Sequence, residues 1–214
     1  MSNATTRRRP GRPKGGQIVA DRGQLLAAAA EVIRTHGPDA TMDDIAAGAS
    51  VTKPILYRTI GDKAALVSAL ADSLVDELDR TVGAASRTAS GPRSSFEAAI
   101  RSYLVAVDAE RNLYLFVNSA APGSDEFRRL VDRSAATMIT TFTSARERAG
   151  LDVDGASAWA WAVVGALQFV ATMWLRDDER DVDALAHDLS ELLWSGVGQV
   201  LDRPRSARDG APGA

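Results

Sequence analysis

The chain has 214 residues, 45% hydrophobic and 25% charged, with a net charge of −3. Those proportions belong to a globular protein rather than a disordered or fibrous one, and the length suits one small domain joined to a larger one. The absence of cysteine excludes a disulfide framework and a thiolate metal site, and two histidines, His36 and His187, are too few for a histidine cluster. No metal or other cofactor is expected.

The charge is unevenly placed. Residues 1–20 hold Arg7, Arg8, Arg9, Arg12 and Lys14 and no acid, so this arm carries +5 and the other 194 residues carry −8. A basic arm on an acidic body suits a nucleic-acid binder whose body must avoid nonspecific attraction. The arm is polar and rich in Pro and Gly, and is expected to be disordered alone. No apolar core follows its basic residues, so no secretory signal is expected, and no apolar run is read as reaching the ~18 to 20 residues of a membrane span. A cytoplasmic protein without a membrane partner is the expectation.

A first helix is predicted from near Asp21 to Thr35, with Leu25, Leu26, Ala29, Val32 and Ile33 as its buried stripe and Gly37-Pro38 as its stop. Thr41 to Lys63 reads TMDDIAAGASVTKPILYRTIGDK. Thr41 and Asp44 have the T-x-x-D form of a capped helix start. Ile45, Ala46 and Ala49 supply a small apolar face, and Gly48-Ala49-Ser50 breaks the helix. Thr52 is expected to cap the next helix, with Pro54 in its first turn, where a missing N–H costs nothing. So short a helix must be held by its neighbours. Its outward residues, Thr52, Lys53, Ile55, Tyr57, Arg58 and Thr59, are basic, hydroxyl-bearing, aliphatic or aromatic. The arrangement is that of a helix-turn-helix presenting its second helix to the DNA major groove.

The fourth helix is predicted to start near Asp62 and to run past Val82. Leu66, Leu70, Leu74 and Leu78 lie along one side, and a loop is expected over 84–93. Ser94 or Ser95 is expected to cap a fifth helix through Glu110, followed by a short sixth over 113–118. Pro122-Gly123-Ser124 breaks the chain before a seventh helix ending near Ala149. The eighth, from about Gly155 to Arg176, is apolar almost all round and is expected to be buried on every side. The ninth ends near Leu201. No strand signal or internal repeat is present. The division expected is a basic arm 1–20, a helix-turn-helix domain 21–66, a helical domain 67–202 and a disordered tail 203–214.

Ala29, Gly37, Thr41 and the pattern I-A-x-x-A-x-V-T-x-P-x-L-Y-x-x-x-G-D-K from Ile45 to Lys63, with Leu66 behind it, resemble the DNA-binding domain of the TetR family of one-component bacterial regulators. The resemblance covers about the first third of the chain. Ser50 stands where the family usually has glycine, Thr59 where histidine or tyrosine is usual, and Ile60 where phenylalanine is usual. Ser50 is expected to strain the turn, because a side chain resists positive φ. The resemblance implies an all-α fold: an N-terminal three-helix DNA-binding domain and a C-terminal helical domain for ligand binding and dimerisation. It also implies a homodimeric repressor released from double-stranded operator DNA by a small effector that tilts the fourth helix. An activator, and a DNA-binding protein of the same fold without an effector, would use the same residues.

In that reading Lys53, with Thr52 and Ile55, meets base edges, lysine favouring guanine O6/N7 and isoleucine a thymine methyl. Thr41, Tyr57 and Lys63 hold phosphates, Lys63 from a helix N-terminus. Pro54, Arg58 and Thr59 complete the presented surface. Tyr57 also suits core packing, and Arg58 a solvated charge. Pro10-Gly11-Arg12-Pro13-Lys14 resembles the core of an AT-hook, which would lay Arg12 in a minor groove; general phosphate attraction is the alternative.

The second domain is expected to hold a mostly apolar effector between its fifth and eighth helices, lined by Tyr103, Val107, Phe116, Met138, Phe142, Trp161, Gln168 and Phe169. Such residues serve equally well as core. The NLYLFV and WLRD segments resemble those of family members that sense fatty acyl or other lipidic molecules. The helices near 155–176 and 181–201 offer more apolar surface than one small bundle covers, and are expected to form a two-fold interface, with Gly165, Ala166 and Gly196 allowing close approach. The eighth helix also suits a core helix, one face serving each role. No P-loop, dinucleotide-binding glycine motif, metal-ligand cluster or serine-nucleophile motif is present, so an enzyme is not expected.

Overall fold

The computed structural model describes residues 21–119, 125–148, 150, 152–177 and 180–201. The arm containing Arg12 and the tail 203–214 lie outside the described residues. Among the described residues there are nine α-helices and no strand: α1 Arg22–His36, α2 Met42–Gly48, α3 Lys53–Thr59, α4 Lys63–Thr88, α5 Pro92–Ala109, α6 Arg111–Val117, α7 Asp125–Arg148, α8 Ala156–Asp177 and α9 Val182–Leu201.

Local chemistry sets most of the helix ends. Gly37, at φ 99°, turns the chain out of α1 while its N–H caps the Ile33 carbonyl. The Asp62 carboxylate accepts from the Ala65 N–H at 2.9 Å and opens α4. The expected loop over 84–93 is corrected: α4 continues to Thr88, its last turns containing the strong helix formers Ala84 and Ala85. Gly91, at φ 110°, makes the turn, and Pro92 starts α5. The serines expected to cap α5 do other work. The Ser94 hydroxyl donates back to the Gly91 carbonyl at 3.1 Å, and the Ser95 hydroxyl donates to the Ser86 carbonyl at 3.1 Å, tying α5 to α4.

Two apolar clusters form the core. One gathers Leu25, Ala29 and Ile33 of α1, Ile45 and Ala46 of α2, Leu56 of α3 and the start of α4. The other gathers Ile100, Leu104 and Val107 of α5 with Val163, Leu167 and Ala171 of α8 and Leu185 and Leu189 of α9. α4 serves both: Leu66, Val67, Leu70, Ala71 and Val75 enter the first, and Leu74 the second. At 1.5 Å per residue its 26 residues span roughly 39 Å, enough to run from one cluster into the other. α6 is also divided. Leu113, Phe116 and Val117 face the first cluster, Tyr114 and Leu115 the second.

α8 departs from expectation in two ways. It is long and apolar enough, by length and composition, to cross a membrane, with a mean hydropathy of 1.5 over its most apolar window. It nonetheless packs against α5, α6 and α7 as a core helix does. Nor is it buried on every side in the single chain: Trp161, Phe169 and Met173 are 48%, 69% and 45% exposed. Successive members lie eight and four residues apart and so share one helical face, turned away from the second cluster.

Candidate functional site

α2 and α3 are positioned by a few short-range contacts. The Asp44 N–H donates to the Thr41 hydroxyl at 3.2 Å, while the Asp44 carboxylate accepts from the Thr41 N–H at 2.8 Å and hydroxyl at 2.6 Å. This capping box holds the Asp44 carboxyl below its ordinary range, chiefly through the Thr41 hydroxyl and then its N–H. Ser50 sits at φ 55°, the strained position its residue type foretold. The Val51 N–H returns to the Ala46 carbonyl at 3.0 Å and closes the turn. Thr52 occupies the N-cap position of α3 but makes no capping hydrogen bond with its side chain, so the expected hydroxyl cap is corrected. The preset φ of Pro54 in the first turn favours the helix without it.

Leu56 is wholly buried and Ile60 nearly so, which anchors one side of α3 in the first cluster. The other side faces outward. Thr52, Lys53, Pro54, Tyr57 and Arg58 are exposed, and Ile55 and Thr59 are half-buried. Tyr57 is 45% exposed, so it lies on the outward surface rather than in the core. The Lys53 ammonium pairs with Asp43 of α2, a partner the sequence reading did not identify. Thr41 is exposed, with its hydroxyl engaged in the cap. Lys63 is at the start of α4, and its ammonium lies 5.3 Å from the centre of the Phe116 ring, over α6.

The residues expected to line an effector site are dispersed. Val107 and Phe142 are buried in the second cluster, and Tyr103 and Met138 pack at its edge. Gln168 belongs to a polar network beside them: its side-chain amide donates to Asn118 Oδ1 at 2.5 Å, and its backbone carbonyl accepts from the Tyr114 hydroxyl at 3.2 Å. The Tyr103 and Tyr114 hydroxyls are 2.8 Å apart. Burial pushes the Tyr103 phenol well above its ordinary range and the Tyr114 phenol up to about 12. Phe116 lies elsewhere, in the first cluster, because α6 turns it toward α1 and α4. Trp161 and Phe169 lie on the open face of α8, since the inner face is filled by Ala160, Val163, Leu167 and Ala171.

Sequence reasoning did not identify Tyr114 and Asn118, although the four-residue spacing that puts both on one face of α6 was there to be seen. On α9, Leu192 is also exposed, at 70%. A Cβ added at Gly165 or Gly196 would meet nothing within 4 Å, so packing within the chain does not require glycine at either position.

The profile of the family described as "Bacterial regulatory proteins, tetR family" matches residues 25–70, the segment from α1 into α4. An uncharacterized HTH-type transcriptional regulator of Mycobacterium tuberculosis is 31% identical over 191 residues, covering 86% of this chain and 80% of the relative. The HTH-type transcriptional activator FasR of Mycolicibacterium smegmatis is 28% identical over 211 residues, covering 94% and 96%. Among solved structures, Thermus thermophilus FadR, a TetR-family transcriptional repressor in complex with lauroyl-CoA, superposes with a TM-score of 0.65 at 19% identity, covering 90% of this chain and 100% of FadR. With α2 opened by a capping box and an outward-facing α3 anchored by a buried leucine, the chain belongs to the tetR family of bacterial regulatory proteins and is a DNA-binding transcriptional regulator.

Proposed function

We propose that this regulator is a homodimeric repressor that binds an operator through α3 and leaves it when a mostly apolar, fatty acyl effector occupies the domain built on α4 to α9. The observation that carries the reading is the open apolar face of Trp161, Phe169 and Met173 on α8, and Leu192 of α9 is exposed as well. A face of this kind marks an association surface, and pairing it about a two-fold axis places two α3 helices for successive major grooves, ~34 to 36 Å apart. Residues 21–66 then form the DNA-binding unit and residues 67–202 the effector and dimer unit, with α4 crossing between them. Lys53, Thr52 and Ile55 read bases, while Thr41, Tyr57 and Lys63 hold phosphates. The acyl class is supported by the lauroyl-CoA bound in the FadR structure of like fold.

A second reading, activation, is favoured by the likeness to the activator FasR along nearly the whole chain. The two part in a transcription assay on DNA from beside the regulator's own coding region. Saturable binding that survives nonspecific competitor, a fall in transcription, and recovery of transcription on adding lauroyl-CoA are the expected results. A rise in transcription on binding establishes the activator. Binding erased by competitor overturns the operator reading, and binding indifferent to acyl-CoA leaves a regulator without that effector.

A further inference from the structure

We propose that a cleft between α4, α6 and α7 receives the phosphate-bearing head of an acyl-CoA effector, and that the phosphate takes Arg133 away from the carboxylates of α4. The inference rests on the acyl-effector reading above. The cleft has a volume of about 300 Å³, the scale of a phosphorylated group rather than a whole acyl-CoA. Val67 and Ala71 of α4 and Val117 of α6 are its apolar floor, Ser68 adds a hydroxyl, and Arg129 and Arg133 of α7 form the facing wall. Asp72 stands at the same cleft and is the carboxylate an entering anion must avoid.

Arg133 pairs with Asp76 and lies 3.8 Å from Asp79, whose carboxylate also accepts from the Thr137 hydroxyl at 2.7 Å. Asp72, Asp76 and Asp79 follow one another at four- and three-residue steps, so they share one face of α4. Carboxylate pairs this exposed hold an arginine weakly. A phosphate carries more charge and offers oxygens to both arms of the guanidinium, so it competes well for it. Val67, Ala71 and Val117 also belong to the cluster that seats α2 and α3. A head group in the cleft therefore touches the base of the DNA-binding unit and loosens α7 from α4 in the same event.

Isothermal titration of the full chain with lauroyl-CoA and with free CoA, on wild type, Arg133→Gln and Asp76→Asn, tests this. Both variants break the same ion pair, so a purely structural role moves their affinities in the same direction. Competition moves them in opposite directions. Arg133→Gln is expected to weaken lauroyl-CoA binding about tenfold, the scale of one charge-assisted hydrogen bond, while Asp76→Asn tightens it several-fold. Circular dichroism melts confirm that each variant is folded. If wild type binds lauroyl-CoA and both variants match it, or shift together, this site is overturned and the acyl reading stands. Free CoA binding as tightly as lauroyl-CoA overturns the site as an acyl-effector site. No binding to wild type sinks the acyl reading and the site with it.

Discussion

Arg34, in the last turn of α1, donates to the Glu110 carboxylate at 2.8 Å, and the Asn112 side-chain amide donates to the Arg34 carbonyl at 2.8 Å. The end of the first helix is thereby fastened to the corner between α5 and α6. Asn112 satisfies a carbonyl that the helix end leaves without an intrahelical partner, and Glu110 raises the Arg34 guanidinium above its ordinary range. The Arg34 side chain is 42% exposed, so solvent screens the ion pair. A double-mutant cycle of Arg34→Ala and Glu110→Ala, measured by urea unfolding, is expected to give a coupling below about 1 kcal/mol. A coupling of several kcal/mol would show that the pair is far less screened than its exposure implies.

Two glycines have no room for a side chain. A Cβ at Gly48 would come within 2.3 Å of Val32 Cγ2, where α2 crosses α1. Gly61 sits at φ 110°, and a Cβ there would come within 2.8 Å of the Ala65 methyl. Gly48→Ala is expected to cost about 1 to 3 kcal/mol by overpacking, and Gly61→Ala to be destabilising through backbone strain as well. Thermal melts check both; an unchanged midpoint for Gly48→Ala would mean that the α1–α2 contact shifts freely, and one for Gly61→Ala that the turn into α4 does.

Lys53 and Lys63 should fail differently on DNA. Lys63→Ala is expected to weaken binding to every sequence and to reduce the salt slope by about one, as for a phosphate contact. Lys53→Ala is expected to relax base preference at one position, with a loss of about 1 to 3 kcal/mol against the preferred base. Asp43→Asn, which removes the carboxylate paired with Lys53, should tighten binding. Anisotropy titrations over a salt series, on matched and mismatched sites, measure all three. Wild-type behaviour by both lysine variants refutes the assignments.

The Tyr103–Tyr114 pair makes stability fall in alkali. Both phenols titrate above their ordinary value of about 10 in the folded chain, Tyr114 at about 12. The unfolded state therefore releases these protons first as pH rises. Their contribution is complete below about pH 10 and is lost as pH climbs above it, for Tyr114 toward about 12. Urea midpoints for wild type should drop more steeply above pH 10 than those of a Tyr103→Phe/Tyr114→Phe double variant. Parallel curves would show that the phenols do not govern the loss.

The open face of α8 gives the proposed dimer its own test. Phe169 is 69% exposed, so Phe169→Glu should change the stability of the isolated chain by no more than about 0.5 kcal/mol. It should shift sedimentation from dimer to monomer at micromolar concentration and abolish operator binding. A wild-type monomer under the same conditions removes the interface altogether.

What the chain disclosed by itself was local. The Thr41–Asp44 cap, the stop at Gly37, the strained turn at Ser50 and the leucine row of α4 depend on residues within a few positions of one another. Helix periodicity and capping carry that information directly, so the nine helices among the described residues and the outward face of α3 were legible. The expected effector region was far less so. Apolar side chains at helical spacing look alike whether they face a core, a ligand or another subunit. Only the tertiary arrangement decided that Phe116 joins the cluster under the DNA-binding helices, that Trp161 and Phe169 face outward, and that Tyr103 meets Tyr114. The same holds for Lys53 on Asp43, Lys63 over Phe116 and Arg133 beside α4. The contacts from α6 and α7 in particular join residues far apart in the chain, and their distances follow from how the helices cross rather than from any spacing along the sequence.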